Sequence, residues 1–375
     1  MTPPKKPRVL IVDDEPDTQT PLKLALSRSV SVEALHPNDL DLSDLLRADL
    51  ILVDHVLSEW AERDQVEAIA LKPANGLALA AVLRAHVASD KKRLPTGFAI
   101  LSGHLEQLSG GPRENSKARA NNLEWAFSKE RPRRSADVVE QMVSLATAIR
   151  RLPRVWPEND PEGTWKTVAK VLELPGKASW KKRALADVED CHPPIHELAE
   201  QSRGLSFLRW LIQRIIPYPC FLWDIHHVAA RFRVTMRSLE RALSNSKKFR
   251  RVLAECMYVG ILHDFLGARW WRAGIETFLW DITGGNSADP SAIHAKLGDV
   301  AKVDFEHAEP NRSLVCVDSD YEPLQDLYSV ERAVRIQPED WPPFADQAWT
   351  TVDLARENAS LRAVVISADR EKLEL

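Results

Sequence analysis

Five side chains sit at the ends of apolar runs, and together they could handle a phosphoryl group. Val9-Leu10-Ile11-Val12 leads into Asp13-Asp14-Glu15-Pro16, Leu50-Ile51-Leu52-Val53 into Asp54, and Ile100-Leu101 into Ser102-Gly103. A further segment, Trp125-Ala126-Phe127-Ser128, ends on Lys129. Carboxylates are the oxygen ligands that a hard divalent cation such as Mg²⁺ takes. A carboxylate that attacks a phosphoryl donor meets repulsion between anions, which such a cation offsets. A compact ammonium and a hydroxyl complete the set, because both can contact phosphoryl oxygens.

These residues share a site only if the runs that carry them are parallel strands. β-Branched and leucine-rich runs of this length read as strands buried on both faces, and in open α/β sheets ligands bind outside the carboxyl ends. Strands are expected at Val9–Val12, Ser31–Leu35, Asp49–Val53 and Gly97–Leu101, with Trp125–Ser128 as the fifth. Between them the spacing predicts helices over Asp17–Leu26, Leu40–Leu46 and Gly76–His86. A last helix is expected from about Ala136, with Asp137 and Glu140 at capping-box spacing and Val138, Met142, Leu145 and Ile149 as its buried stripe. The fold class is therefore α/β, a doubly wound five-stranded parallel sheet.

On these motifs, residues 7–151 resemble the receiver domain of two-component response regulators, which has a flavodoxin-like fold. The resemblance implies that Asp13 and Asp14 bind Mg²⁺ and that Asp54 accepts a phosphoryl group from a histidine kinase or phosphotransfer protein. It also implies that the backbone carbonyl of Val56 is a metal ligand and that Ser102 and Lys129 contact the phosphoryl oxygens. Some positions depart from the family pattern. The stretch between Asp54 and Gly76, through Glu59-Trp60-Ala61-Glu62-Arg63, is longer than the family's. Glu130 follows the lysine where the family has proline, and the aromatic switch position falls on Ala126, with Trp125 one place earlier. An alternative is a receiver-like docking module or scaffold that acts without phosphorylation.

Residues 152–161 carry three prolines and read as a linker. Residues 162–282 read as a mainly α-helical output domain, and 283–375 as an acidic region of mixed structure. Residues 224–244 resemble a helix-turn-helix, with Arg233 where such turns favour glycine. Thr235 would cap the second helix, exposing Arg237, Ser238 and Arg241, and Lys247 and Lys248 follow as phosphate contacts. That reading makes duplex DNA the partner. The plainer alternative is a two-helix core hairpin with a solvated basic face, in a regulator that binds a protein or forms a homodimer. Eight of the 12 tryptophans lie between Trp156 and Trp280, in apolar patterns that favour a core role over base stacking.

The 375 residues suffice for two or three domains, with 44 % hydrophobic and 28 % charged residues. The formal charge of -4 hides an asymmetry. Residues 150–255 hold roughly eight more basic than acidic side chains, and the last 75 reverse that. The four cysteines form no CxxC, which fits a reducing cytoplasm and argues against a zinc site. Cys191 and His192 are separated from His196 by Pro193-Pro194, a poor metal spacing. No signal peptide or membrane segment is expected, so a cytoplasmic location follows. No GxSxG, P-loop or HExxH motif supports an enzymatic output.

Overall fold

A computed structural model describes residues 6–60, 73–89, 94–129, 137–157, 160–198, 204–308 and 313–374. The chain divides into two compact units, the first made of Met1–Glu173, Pro193–Arg214 and Gly260–Gly267. The second comprises Leu174–His192, Ile215–Val259 and Ala268–Leu375.

In the first unit, β1 (Arg8–Val12), β2 (Ser31–Leu35), β3 (Leu50–Asp54), β4 (Gly97–Ser102) and β5 (Trp125–Ser128) form a parallel sheet in the order β2-β1-β3-β4-β5. Alternate strand residues face opposite sides. Val12, Val53, Ile100 and Ala126 join one core with α2 (Leu42–Arg47), α3 (Gly76–Ser89) and Ala118 of α4 (Glu114–Ala120). The other face buries Ile11, Leu52, Leu101 and Phe127, with Leu26 of α1 (Thr20–Ser27) and Met142, Leu145 and Ile149 of α5 (Val138–Arg151). Helices therefore cover both faces, as the strand pattern requires. This is the doubly wound sheet expected, with strands shifted by a residue at most.

Local differences have simple causes. A 3₁₀ turn over Pro16–Gln19 replaces the start of the first helix, with Pro16 at its N-terminal position. Asp137 accepts the Val139 N–H, and no capping box with Glu140 forms. The expected helix start at Ala136, Glu130 and the insertion beyond Trp60 lie outside the described residues.

Parts of the segment 152–161 are packed or capped. Trp156 is buried, its ring 5.9 Å from that of Phe207, and Pro161 opens α6 (Pro161–Val171) under an Asp160 cap. Proline at the first helical position costs no hydrogen bond, so Pro161 can start this helix. Two later segments then return to the first unit. From α8 (Leu205–Trp210), Arg209 pairs at 2.6 Å with Glu124, which is fully buried. Gln213 Nε2 donates to the Leu123 carbonyl at 2.6 Å, and Phe265 packs edge-on against Trp125 at 4.9 Å. These contacts close the β5 end of the sheet, whose outer strand would otherwise be bare.

The second unit is largely helical. It contains α7 (Lys181–Asp190), α9 (Ile225–Phe232), α10 (Met236–Asn245), α11 (Lys247–Ala254), α12 (Arg272–Thr283) and α13 (Pro290–Ala301). Phe232, Leu239, Phe249, Leu279 and Leu297 meet in a core shared by α9 to α13. Three two-stranded ribbons accompany them, β6 (Leu222–Trp223) with β7 (Trp270–Trp271), β8 (Leu314–Val317) with β9 (Pro323–Tyr328), and β10 (Ala333–Ile336) with β11 (Ala348–Thr351). Trp270 and Trp271 are buried, as the core reading expects, whereas Trp280 is exposed. Among the described residues no helix is long and apolar enough to cross a membrane.

Candidate metal and phosphoryl site

Strand register builds the site. Val12 pairs with Val53, Asp54 with Leu101, and Ser102 with Ser128, so residues that end or follow these strands emerge at one rim. Carboxylate oxygens of Asp13, Asp14 and Asp54 lie within 4.8 Å of one another. Lys129 Nζ reaches Asp54 Oδ1 at 2.7 Å. All five side chains singled out in the sequence thus come from this rim.

Their environments differ. Asp13 is clamped, accepting the Glu15 N–H at 2.7 Å and Gln19 Nε2 at 2.8 Å. Asp14 accepts the Glu59 N–H at 2.7 Å, tying the start of the long insertion to the rim. Asp54 is buried, and burial pushes its carboxyl above the ordinary value. The hydrogen bond and charge of Lys129 oppose that shift, while the charges of Asp13 and Asp14 add to it. The ammonium neutralises one of three carboxylates, leaving two formal negative charges, which is the charge of one divalent cation. A set of hard oxygen donors with that deficit suits Mg²⁺ or Ca²⁺ and suits no soft metal.

Ser102 Oγ accepts the His104 N–H at 2.9 Å and lies 3.3 Å from His55 Nδ1. Burial pushes the His55 imidazole below its ordinary value, the charge of His104 adds to this, and Glu106 opposes it. The ring is therefore neutral near pH 7. Ser102 has one hydroxyl hydrogen, so whenever Nδ1 is the bare nitrogen His55 competes with any phosphoryl oxygen for it.

Three residues of this site escape a reading of strand ends. Gln19 lies inside a stretch read as ordinary helix, and His55 looks like a residue merely following Asp54. Gly76 opens α3 so close to β3 that a Cβ there would stand 1.9 Å from the Asp54 carbonyl oxygen. A lone glycine at the head of an apolar helix was its available signal. Val56, two residues past Asp54, carries an exposed side chain. Ala126 is buried in the sheet core, and Trp125, facing the opposite side, is held by Phe265.

The second group of candidates lies on α10 and α11. Arg233 takes the left-handed conformation (φ 58°, ψ 37°), and Thr235 caps α10 by accepting the Ser238 N–H. Two helices, α9 and α10, therefore meet through a short turn over Arg233–Thr235. Arg237, Arg241, Lys247 and Lys248 are exposed. Ser238 is a correction: it is buried, and its Oγ accepts the Glu306 N–H at 2.8 Å. The segment around Glu306 bridges Val234 to His307 and receives the Thr235 N–H, so it lies across the start of α10. A stretch more than 60 residues away covers the face that helical periodicity alone would leave to solvent.

No family model and no curated protein matches the chain. Among solved structures it is similar to a response regulator from Burkholderia pseudomallei, crystallised with a phosphorylated aspartic acid, a calcium ion and citrate. That match has 16 % identity and a TM-score of 0.25, and covers 56 % of this chain and 99 % of the other. It is also similar to the structure of two RcsB dimers bound to two parallel DNAs, with 13 % identity, a TM-score of 0.25, and coverage of 55 % and 93 %. At these values neither neighbour assigns a residue role. Strand order and the residues at the strand ends show a doubly wound parallel α/β domain whose rim carries the acidic and lysine side chains that the resemblance to receiver domains implies.

Proposed function

We propose that this protein is a response regulator in which Asp54 accepts a phosphoryl group in a Mg²⁺-dependent reaction, under control of a histidine kinase or phosphotransfer protein. The observation behind it is the gathering of Asp13, Asp14 and Asp54 within 4.8 Å beside the Lys129 ammonium. Asp13 and Asp14 would hold the cation, with Asp54 and the Val56 carbonyl as further oxygens. Bound there, Mg²⁺ would offset the charge that develops on the phosphoryl oxygens. A carboxylate oxygen of Asp54 forms the new O–P bond while the donor's P–O or P–N bond breaks and the donor departs with the electron pair. Lys129 passes from Asp54 to the incoming oxygens. The Ser102 hydroxyl turns from His55 to the phosphoryl group, which gives the β4–α4 loop a reason to move.

For output, the exposed Arg237, Arg241, Lys247 and Lys248 favour contact with the phosphates of duplex DNA. Asp304 and Glu306 beside the start of α10 disfavour base reading by that helix end. The alternative output is a protein partner, including a second copy of the chain. Acid-quenched labelling with acetyl phosphate and Mg²⁺, followed by peptide mapping, tests the acceptor: the phosphoryl group should reside on the peptide that contains Asp54. Salt-dependent binding of duplex DNA, weakened by Arg237→Ala and Arg241→Ala, would support the DNA output, and its absence would leave the protein partner.

A further inference from the structure

A cavity of about 490 Å³ opens within the second unit, apart from the acidic rim. Its lining residues include Trp223 and Trp349 and the charged or titratable residues His227, Arg231, Arg233 and Asp346. Three of those four polar residues already have partners. Arg231 forms a two-toothed pair with Glu276 at 2.7 and 2.8 Å and donates to the Ser287 carbonyl. Asp346 pairs with Arg272 at 2.9 Å and accepts from Trp223 Nε1. His227 Nδ1 lies 2.8 Å from Asp224.

Arg233 differs. Its guanidinium has no carboxylate, carbonyl or ring partner among the described residues, although its backbone carbonyl accepts from His294 Nε2 and the Ala308 N–H. Burial and then the neighbouring Arg231 push its pKa down, as expected for a half-buried cation beside a like charge. Its backbone also sits in the left-handed region, at the position after a helix where glycine is the strain-free residue. A strained backbone and an unpaired cation on a cavity wall are features that cluster at ligand sites.

We propose that this cavity is a ligand site for a small organic monocarboxylate with a planar apolar body. The carboxylate takes the two parallel donors of Arg233, and the body lies against the indoles of Trp223 and Trp349. One cation without a partner among the described residues calls for one negative charge, which favours a carboxylate over a dianionic phosphate. The volume fits a body of two fused rings or somewhat more.

Isothermal titration of the full chain with 2-naphthoate, neutral 2-naphthamide and adenosine 5′-monophosphate tests the assignment. The expected result is one 2-naphthoate per chain, bound at least about tenfold more tightly than either other compound. Arg233→Gln should weaken it by about tenfold or more, and Arg233→Lys by less. Arg233→Gly suits the left-handed backbone, so it should fold at least as well as the wild type and still lose binding. Equal affinity for acid and amide, no binding of 2-naphthoate at millimolar concentration, or unchanged binding by a folded Arg233→Gly protein would overturn the proposal. Tighter binding of the nucleotide would overturn the monocarboxylate class.

Discussion

Replacing Gly76 with alanine should damage the Asp54 site from behind. An added Cβ would stand 1.9 Å from the Asp54 carbonyl oxygen, 2.8 Å from its carbonyl carbon and 2.9 Å from His55 Cα. All three atoms are backbone, so no side chain can rotate away, and either β3 or the start of α3 must shift. The Gly76 N–H bond to the His55 carbonyl, 3.0 Å long, ties the two elements together at that point. Overpacking of this kind costs about 1–3 kcal/mol, and an all-backbone clash belongs at or above the upper end. Against it, alanine gains up to about 1 kcal/mol of helix propensity over glycine. That gain overlaps the reduced entropy of the unfolded chain and is smaller in a first turn. The clash wins by about 2 kcal/mol, and the displaced Asp54 should accept phosphoryl groups more slowly. Gly176→Ala is the control, because nothing lies within 4 Å of its added Cβ. Urea unfolding and the rate of acetyl phosphate labelling should both single out Gly76→Ala. A Gly76→Ala protein as stable as Gly176→Ala, labelled at the wild-type rate, would refute the close approach of α3 to Asp54.

Three further outcomes follow from the geometry. Asp54 has a raised folded-state pKa, so whatever stability its protonated form contributes is lost as pH rises through that value. Asp54→Asn should therefore be more stable than the wild type at neutral pH without divalent cations, and Mg²⁺ titration calorimetry should find wild-type affinity falling once pH drops toward the raised value. Glu124 is fully buried against Arg209, and Arg209→Met would leave its carboxylate only Arg84 at 3.8 Å and the Phe98 N–H, at a cost of up to about 3 kcal/mol, which double replacement with Glu124→Leu should partly restore in denaturation experiments. Burial pushes the thiols of Cys256 and Cys316 up to about 12, so both should resist a thiol reagent in the native state and react once urea unfolds the chain.

The rim was legible because each of its residues ends an uninterrupted apolar run, and parallel register then aligns the run ends. Both the type and the order of Asp13, Asp14, Asp54, Ser102 and Lys129 survive in the structure for that reason. The return of 193–214 and 260–267 to the first unit was not legible. Its signals are pairs such as Arg209 with Glu124, 85 residues apart, and no local period encodes them. The prolines near Trp156 were ambiguous in kind, since proline both breaks a chain and begins a helix. Ser238 was misread for a related reason. Helical spacing states which residues share a face, but not that Glu306 returns to cover it. Arg233 stood out in the sequence as an obstacle to a turn, whereas the structure places it in the left-handed conformation on a cavity wall.

The most direct test is the intact mass of the full chain after incubation with Mg²⁺ and acetyl phosphate, with Asp54→Asn and an excess of chelator as controls. Asp54 as acceptor predicts one added phosphoryl group in the wild type, none in Asp54→Asn, and none when the cation is removed. A phosphoryl group on Asp54→Asn, or an unmodified wild type even in the presence of a competent histidine kinase, would contradict it.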